Sequence, residues 1–336
     1  MDVASDQSPP VPPRNDPIFI LGISERSGTN FLFHLLCLHP DCHPGGPIWE
    51  NYLTLHLDLL VRFAETVYEK WNPKWNVAET IGPSGVLLED LGNGLIDYLN
   101  RQMRVTPSSV GSTTDREANL AGGVAPGRRR LVTKNPSVRN LSLFFRLFPR
   151  ALLLILVRDG RAVVESGVRS FGLGYEQAMH DWRDAGASIL QFLECPIAKQ
   201  SSHRLVKYED LFHHQEEQLR NIFEFLQLSP ERYDFAAAQR LPVVGSSELA
   251  QQGERTVHWR GVEKQAGFDP TRRWEHWSPA MQDRFLWIGG EVLKKLGYST
   301  QPPATSHRWW AARNMALDLM WRLRSTRRFS QYFDSL

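Results

Sequence analysis

Three short stretches of this chain carry side chains suited to gripping an anion. The first is GISERSGTNF, residues 22–31, between the apolar runs PIFIL and LFHLLCL. Gly22 and Gly28 allow close backbone approach. The N–H groups of Ser27, Gly28, Thr29 and Asn30 can ring an oxyanion, with the hydroxyls of Ser27 and Thr29 as further donors. Arg26 adds charge in a planar fork. The second is LLLILVRDGRAVVESGVRSFG, residues 152–172. Arg158 ends its apolar run, Asp159 and Gly160 make a turn, and Ser166 follows Arg158 after eight residues. Arg158 and Ser166 can hold one compact anion from two sides; the alternative is a structural Arg158–Asp159 ion pair. The third is LVTKNPSVRN, residues 131–140, where Lys134 follows a short strand and precedes the Asn135-Pro136 turn.

A nucleoside-triphosphate loop needs a Lys between its second glycine and the Ser/Thr. Here that Lys is missing, and Arg26 stands ahead of Gly28 instead. The chemistry points to a phosphate-bearing anion held by Arg, Lys, hydroxyls and backbone.

Those residues need a scaffold that brings them together. Strand-like runs stand at 17–23, about 130–133, 151–157 and 203–208, each followed by a polar turn and a helical pattern. This alternation predicts an α/β fold: one domain with a central parallel sheet flanked by helices. Helices are expected over 29–38, 138–147, about 175–194, 215–227 and 279–296, the last closed by Gly297. In such a sheet, ligands sit outside the carboxyl ends of the strands, where helix N-termini present N–H groups. All three stretches should therefore share one rim.

The flanks read differently. Residues 1–16 are polar and proline-rich, without a signal-peptide core, and are expected to be a disordered leader. Residues 17–300 make the domain, and 104–129 a long loop or insertion. Within 301–336, the basic, aromatic stretch 307–329 is expected to form an amphipathic helix, docked on the domain or in peripheral contact with a membrane. The longest strongly apolar run, ALLLILV, is too short to cross a bilayer. A formal net charge of +2 over 336 residues argues against a general nucleic-acid binder. Three cysteines are too few for a disulfide framework, so a reducing, cytoplasmic setting is expected. HPDCHP, residues 39–44, offers His39, Cys42 and His43 but no fourth partner at a usual separation, so no metal is expected.

With these residues in view, the chain resembles the sulfotransferases that use 3′-phosphoadenosine-5′-phosphosulfate (PAPS). ERSGTNFL resembles their 5′-phosphosulfate loop, and RLFPRALLLILVRDGRAVVES their 3′-phosphate motif, including the Arg-to-Ser spacing. TKNP, the KYED segment and the region ending in LGY resemble further family segments, so the likeness spans roughly 17 to 298. The pattern is nearest the branch that uses a Glu base, which includes protein-tyrosine sulfotransferases. Glu25 and Asn30 depart from the family loop, which has Pro or Gly and a second Thr there.

The resemblance implies a P-loop-like fold and sulfuryl transfer from PAPS to a hydroxyl acceptor, such as a glycan, a small alcohol or phenol, or a lipid. Arg158 and Ser166 would then read the 3′-phosphate, and Tyr208 would border the adenine. Arg26 and Lys134 would stabilise the leaving phosphate. Glu50 stands where the base is placed, beside Trp49. His43 is the rival base, with His34, His39 and His180 behind it. Lys264, Arg272 and Arg273 are candidates to cover the nucleotide, while Glu209 and Asp210 are expected to serve structure, Asp210 as a helix cap. The acceptor should contact 43–70, 104–129 and 171–182. The competing readings are a small-molecule kinase and a non-catalytic, membrane-associated nucleotide binder.

Overall fold

The computed structural model describes residues 16–45, 50–102, 129–242, 269–301 and 309–333, with side chains described up to 323. Trp49, Lys264 and most of the 104–129 stretch lie outside the described residues. Five strands form the sheet: β1 (Ile18–Gly22), β2 (Cys42–Pro44), β3 (Arg130–Asn135), β4 (Leu152–Val157) and β5 (His203–Lys207). They run parallel in the order β2-β3-β1-β4-β5. A parallel sheet is covered on both faces, so its strands are apolar throughout. Ile18, Ile20 and Leu154 face one core, Phe19, Leu21 and Leu153 the other.

The longer helices are α1 (Thr29–Cys37), α2 (Leu57–Lys70), α3 (Ser84–Gln102), α4 (Gly160–Phe171), α5 (Tyr175–Glu194), α6 (Gln215–Leu226), α7 (Pro279–Lys295) and α8 (Trp309–Phe333). Helices α1 and α6 cover the Ile18 face through Leu32, Leu35, Ile222 and Phe223. On the Phe19 face lie α2, α3, α4, α5 and α7, contributing among others Val61, Leu88, Val164, Trp182 and Phe285. Gly297, at φ 80, closes α7 as expected: its N–H donates to the Lys294 carbonyl, and the Tyr298 N–H to that of Leu293.

This topology places the site. Strand β1 is central, and its neighbours β3 and β4 lie in register with it, Leu21 opposite Asn135 and Gly22 opposite Leu156. The loop after β1 is therefore flanked by the ends of both.

Several expectations need adjustment. Strand β3 extends past 133, so Lys134 lies inside it, opposite Ile20, rather than in the turn behind it. The helix expected over 138–147 is a 3-10 turn, Leu141–Leu143, and a single α-turn, Phe144–Leu147, with Asn140 at φ 64 ahead of them. Asp210 does not cap a helix; it lies in the first turn of the Tyr208–His213 helix, whose N-cap is Lys207. Strand β2, α2 and α3 were not anticipated. Helix α2 did carry a signal, since its buried Leu57, Val61 and Ala64 recur at helical spacing. Strand β2 has three residues, too few for alternation to register. Among the described residues, no helix is long and apolar enough to cross a membrane.

Candidate active site

The loop after β1 makes a tight turn from Ser24 to Gly28, with Arg26 at φ 69 and Gly28 at φ 97. Both lie in the left-handed region, which costs a side chain about 1–2 kcal/mol and glycine little. Gly28 is further restricted, because a Cβ there would lie 2.3 Å from the Tyr208 ring. A Cβ on Gly22 would lie 2.3 Å from Ser27 Oγ. The Ser27 hydroxyl, expected to face a ligand, instead donates to the Ser24 carbonyl at 2.7 Å, and so does its N–H at 3.3 Å. Ser27 closes the loop. The N–H groups at the start of α1, from Gly28 onward, have no intrahelical acceptors and remain for an anion.

Three guanidinium groups meet beside this loop. Arg26 Nε and Arg273 Nη1 each donate to Ser166 Oγ at 3.1 Å. Arg158 donates to the Arg26 carbonyl at 2.6 Å and to the Pro270 carbonyl. The Arg158–Asp159 pair does not form. Asp159 caps α4 by accepting from the Arg161 N–H at 2.9 Å, and pairs with the Arg161 side chain at 2.6 Å. Burial, and then the charges of Arg273 and Arg158, bring the Arg26 pKa down to about 10. Arg158 lies over the Tyr208 ring at 4.4 Å from its centre. The ring is wedged between Arg158, Gly28 and Phe212, and burial raises its phenol pKa. Tyr208 thus supports the arginine and the loop, with little face left open for a base.

Arg273 could not be ranked against its neighbours from sequence. In space Arg273 is buried on Ser166, whereas Arg272 is exposed and paired with Glu275 at 2.5 Å. Its signal is a contact across 107 residues, which local patterning does not carry.

On the other side of the loop, Lys134 is almost fully buried and donates to Glu50 at 3.3 Å. The Glu50 carboxylate keeps some exposure and also accepts from Tyr52 at 2.5 Å. Burial lowers the Lys134 pKa, and Glu50 opposes the change. Burial, then the Lys134 charge, bring His34 down to about 4, so its imidazole is neutral near pH 7. Glu25 is shifted up, first by burial and then by Glu50.

The other histidines are placed elsewhere. His43 lies on the edge strand β2, with Nδ1 3.0 Å from the Pro44 carbonyl. His39 bridges the Ser229 carbonyl and the Asp41 N–H. His180 stacks on Trp321 at 4.5 Å. Beside it, Glu176, His180 and Asp318 lie within ligating distance of one another, but Arg284 donates to both carboxylates.

Residues 17–232 match the family model described as the sulfotransferase family. The chain belongs to the sulfotransferase family. It is similar to protein-tyrosine sulfotransferase A of Caenorhabditis elegans, at 26% identity over 300 residues, 86% of this chain and 70% of the relative. It is also similar to a protein-tyrosine sulfotransferase of Drosophila melanogaster, at 35% identity over 221 residues. That match covers 63% of this chain but only 38% of the relative. Among solved structures, it is similar to the sulfotransferase domain from the Synechococcus PCC 7002 olefin synthase, with a TM-score of 0.47 and 23% identity over 87% of this chain and 98% of that one. The sulfotransferase domain from the curacin biosynthetic pathway gives a TM-score of 0.44 and 20% identity, over 85% and 99%.

For a sulfotransferase the co-substrate implied is PAPS, and the reaction is sulfuryl transfer to a hydroxyl acceptor. The donor set suits that anion. Arg158 Nε is buried with no hydrogen-bond partner among the described residues. Ser166 Oγ already accepts from two arginines, so its own proton remains to be donated to a third group. An orphan guanidinium N–H and a hydroxyl with a proton to give are each matched by a phosphate oxygen.

Proposed function

We propose that this sulfotransferase binds PAPS along the rim formed by the loops after β1, β3 and β4, and passes the sulfuryl group to a phenolic hydroxyl. The observation that carries this reading is the meeting of Arg26 and Arg273 on Ser166, with Arg158 bonded to the Arg26 carbonyl. Arg158 Nε, buried with no hydrogen-bond partner among the described residues, and the proton of Ser166 Oγ are donors that a phosphate oxygen would accept. Arg158, Ser166 and Arg273 receive the 3′-phosphate, the feature that ATP lacks. Arg26 and the N–H groups of Gly28, Thr29 and Asn30 face the 5′ end, with Ser27 and Tyr208 holding the loop in shape.

PAPS supplies the sulfuryl group and its phosphate leaving group. Glu50 takes the proton of the acceptor hydroxyl while the new O–S bond forms. Lys134 donates a hydrogen bond to the phosphate oxygen as its bond to sulfur breaks and charge collects there. Because burial has lowered the Lys134 pKa, its ammonium is a strong donor in a partly dehydrated site. Base and donor stand one hydrogen bond apart, so both ends of an in-line displacement are served from one place.

Two considerations favour a phenol over an alcohol. A phenol ionises near pKa about 10, within better reach of a carboxylate base than an alkyl alcohol. Exposed aromatic rings also border the site: Tyr52 bonds to Glu50, and Phe171 lies 5.6 Å from the Arg26 guanidinium. The two relatives named as protein-tyrosine sulfotransferases make a tyrosyl peptide the first acceptor to test.

The test is label transfer from PAPS, with ATP as control, to a tyrosyl peptide, a simple sugar and an alkyl alcohol. Transfer from PAPS to the tyrosyl peptide is expected. Transfer only to the sugar or the alcohol would overturn the phenolic assignment, and transfer from ATP the PAPS assignment.

A further inference from the structure

Helix α8 is held to the domain by one face and leaves an apolar stripe on the other. A helix packed on a soluble domain ordinarily turns its apolar stripe inward. In α8 the inward positions include Trp310, Asn314, Asp318 and Trp321, fastened by polar contacts and by the stacking of Trp321 on His180. Arg284 on α7 donates to the Asn314 carbonyl at 3.1 Å and to Asp318 at 2.7 Å. The Asn314 amide donates to Asp283 at 2.8 Å, and Trp287 Nε1 to Asp318 at 2.9 Å. Asn314 is 1% exposed.

The opposite face carries Ala312, Met315, Ala316, Leu319 and Met320, all exposed. Their spacing of i, i+3, i+4, i+7 and i+8 makes one continuous stripe. Met315 is 61%, Leu319 60% and Met320 45% exposed. The stripe is not what holds the helix to the domain, since the face carrying Trp310, Asn314, Asp318 and Trp321 does that.

We infer that this outward face is a docking surface for an anionic lipid membrane, with α8 lying in the interfacial plane. Charge selects the occupant. The helix sequence has five arginines, Arg313, Arg322, Arg324, Arg327 and Arg328, against one acid. That acid, Asp318, is engaged by Arg284 and Trp287. A second copy of the chain would set the same arginines against each other. An anionic lipid surface meets them with opposite charge while its acyl boundary receives Met315, Leu319 and Met320.

The experiment is co-sedimentation of the full chain with vesicles of phosphatidylcholine alone and of equal parts phosphatidylcholine and phosphatidylserine. Binding to the anionic vesicles, weakened by salt and reduced at least about tenfold in Met315→Glu/Leu319→Glu, is expected. These side chains are exposed, so that variant should keep its thermal midpoint and its affinity for 3′,5′-diphosphoadenosine. Equal binding to both vesicle types, or no binding to either, would overturn the proposal. So would a wild-type dimer that the double variant splits without any effect on vesicles, since the stripe would then be a contact between copies.

Discussion

At Ser166, two arginines meet on one hydroxyl beside a third; at the foot of α8, one arginine meets two carboxylates. The first group is Arg26, Arg158 and Arg273, the second Arg284 with Glu176 and Asp318. Arg26 is lowered to about 10 by burial and by the neighbouring guanidiniums. Arg284 moves the other way: burial works to lower it, but its hydrogen bonds to Glu176 and Asp318 prevail and raise it. Where the molecule joins its own helices, it pairs opposite charges. Beside the loop after β1, it gathers three guanidinium groups. The difference predicts opposite outcomes when an arginine of either group is cut back.

The largest effect should come at the reacting end of the cationic region. Glu50→Gln should lower kcat about 10²–10⁴-fold with little change in affinity for 3′,5′-diphosphoadenosine, as measured by steady-state rates and calorimetry. Lys134→Ala should cost about 10²–10³ in rate. An unchanged rate in Glu50→Gln would remove that carboxylate as the base and return His43 to consideration.

Next comes the phosphate end. Arg273→Ala removes one charge-assisted hydrogen bond, so affinity for 3′,5′-diphosphoadenosine should fall about 10–100-fold. The thermal midpoint of the ligand-free protein should change less than the affinity does. A marked fall in that midpoint would make Arg273 structural, like Arg284.

At the paired cluster the outcome should be the converse. Arg284→Ala should destabilise by about 1–3 kcal/mol, less than a fully buried pair because Glu176 and Asp318 are partly exposed. Sulfuryl transfer per folded molecule should be unchanged. Chemical unfolding and rate measurements on the same samples check both statements.

The smallest effect is on pH dependence. Burial lowers the Lys134 pKa, so as pH rises Lys134 loses its proton below the usual lysine value of about 10.4. The rate should therefore fall on an alkaline limb set below that value, and Lys134→Arg should move the limb to higher pH. A limb at or above the ordinary value would contradict a desolvated donor.

The sequence disclosed the parts of this arrangement that are local. The 22–31 turn, the eight-residue step from Arg158 to Ser166, and helices such as α5 and α7 show in runs of neighbouring residues. Three features did not show: two are made by distance, and one is a choice between two neighbouring arginines. Arg273 reaches Ser166 across 107 residues. Asp159 turns to Arg161, a choice that leaves Arg158 for the site. The docking of α8 draws on Arg284, which in sequence is one arginine in a helical pattern. The histidines of 39–44, suggestive as a string, are drawn into backbone contacts once β2 forms.

The most direct measurement is calorimetric titration of wild type and Arg158→Ala with 3′,5′-diphosphoadenosine and with 5′-AMP. If the cationic cluster reads the 3′-phosphate, the variant should lose about 10–100-fold in affinity for the diphosphate and little for 5′-AMP. Equal losses for the two nucleotides, or none for either, would contradict the account.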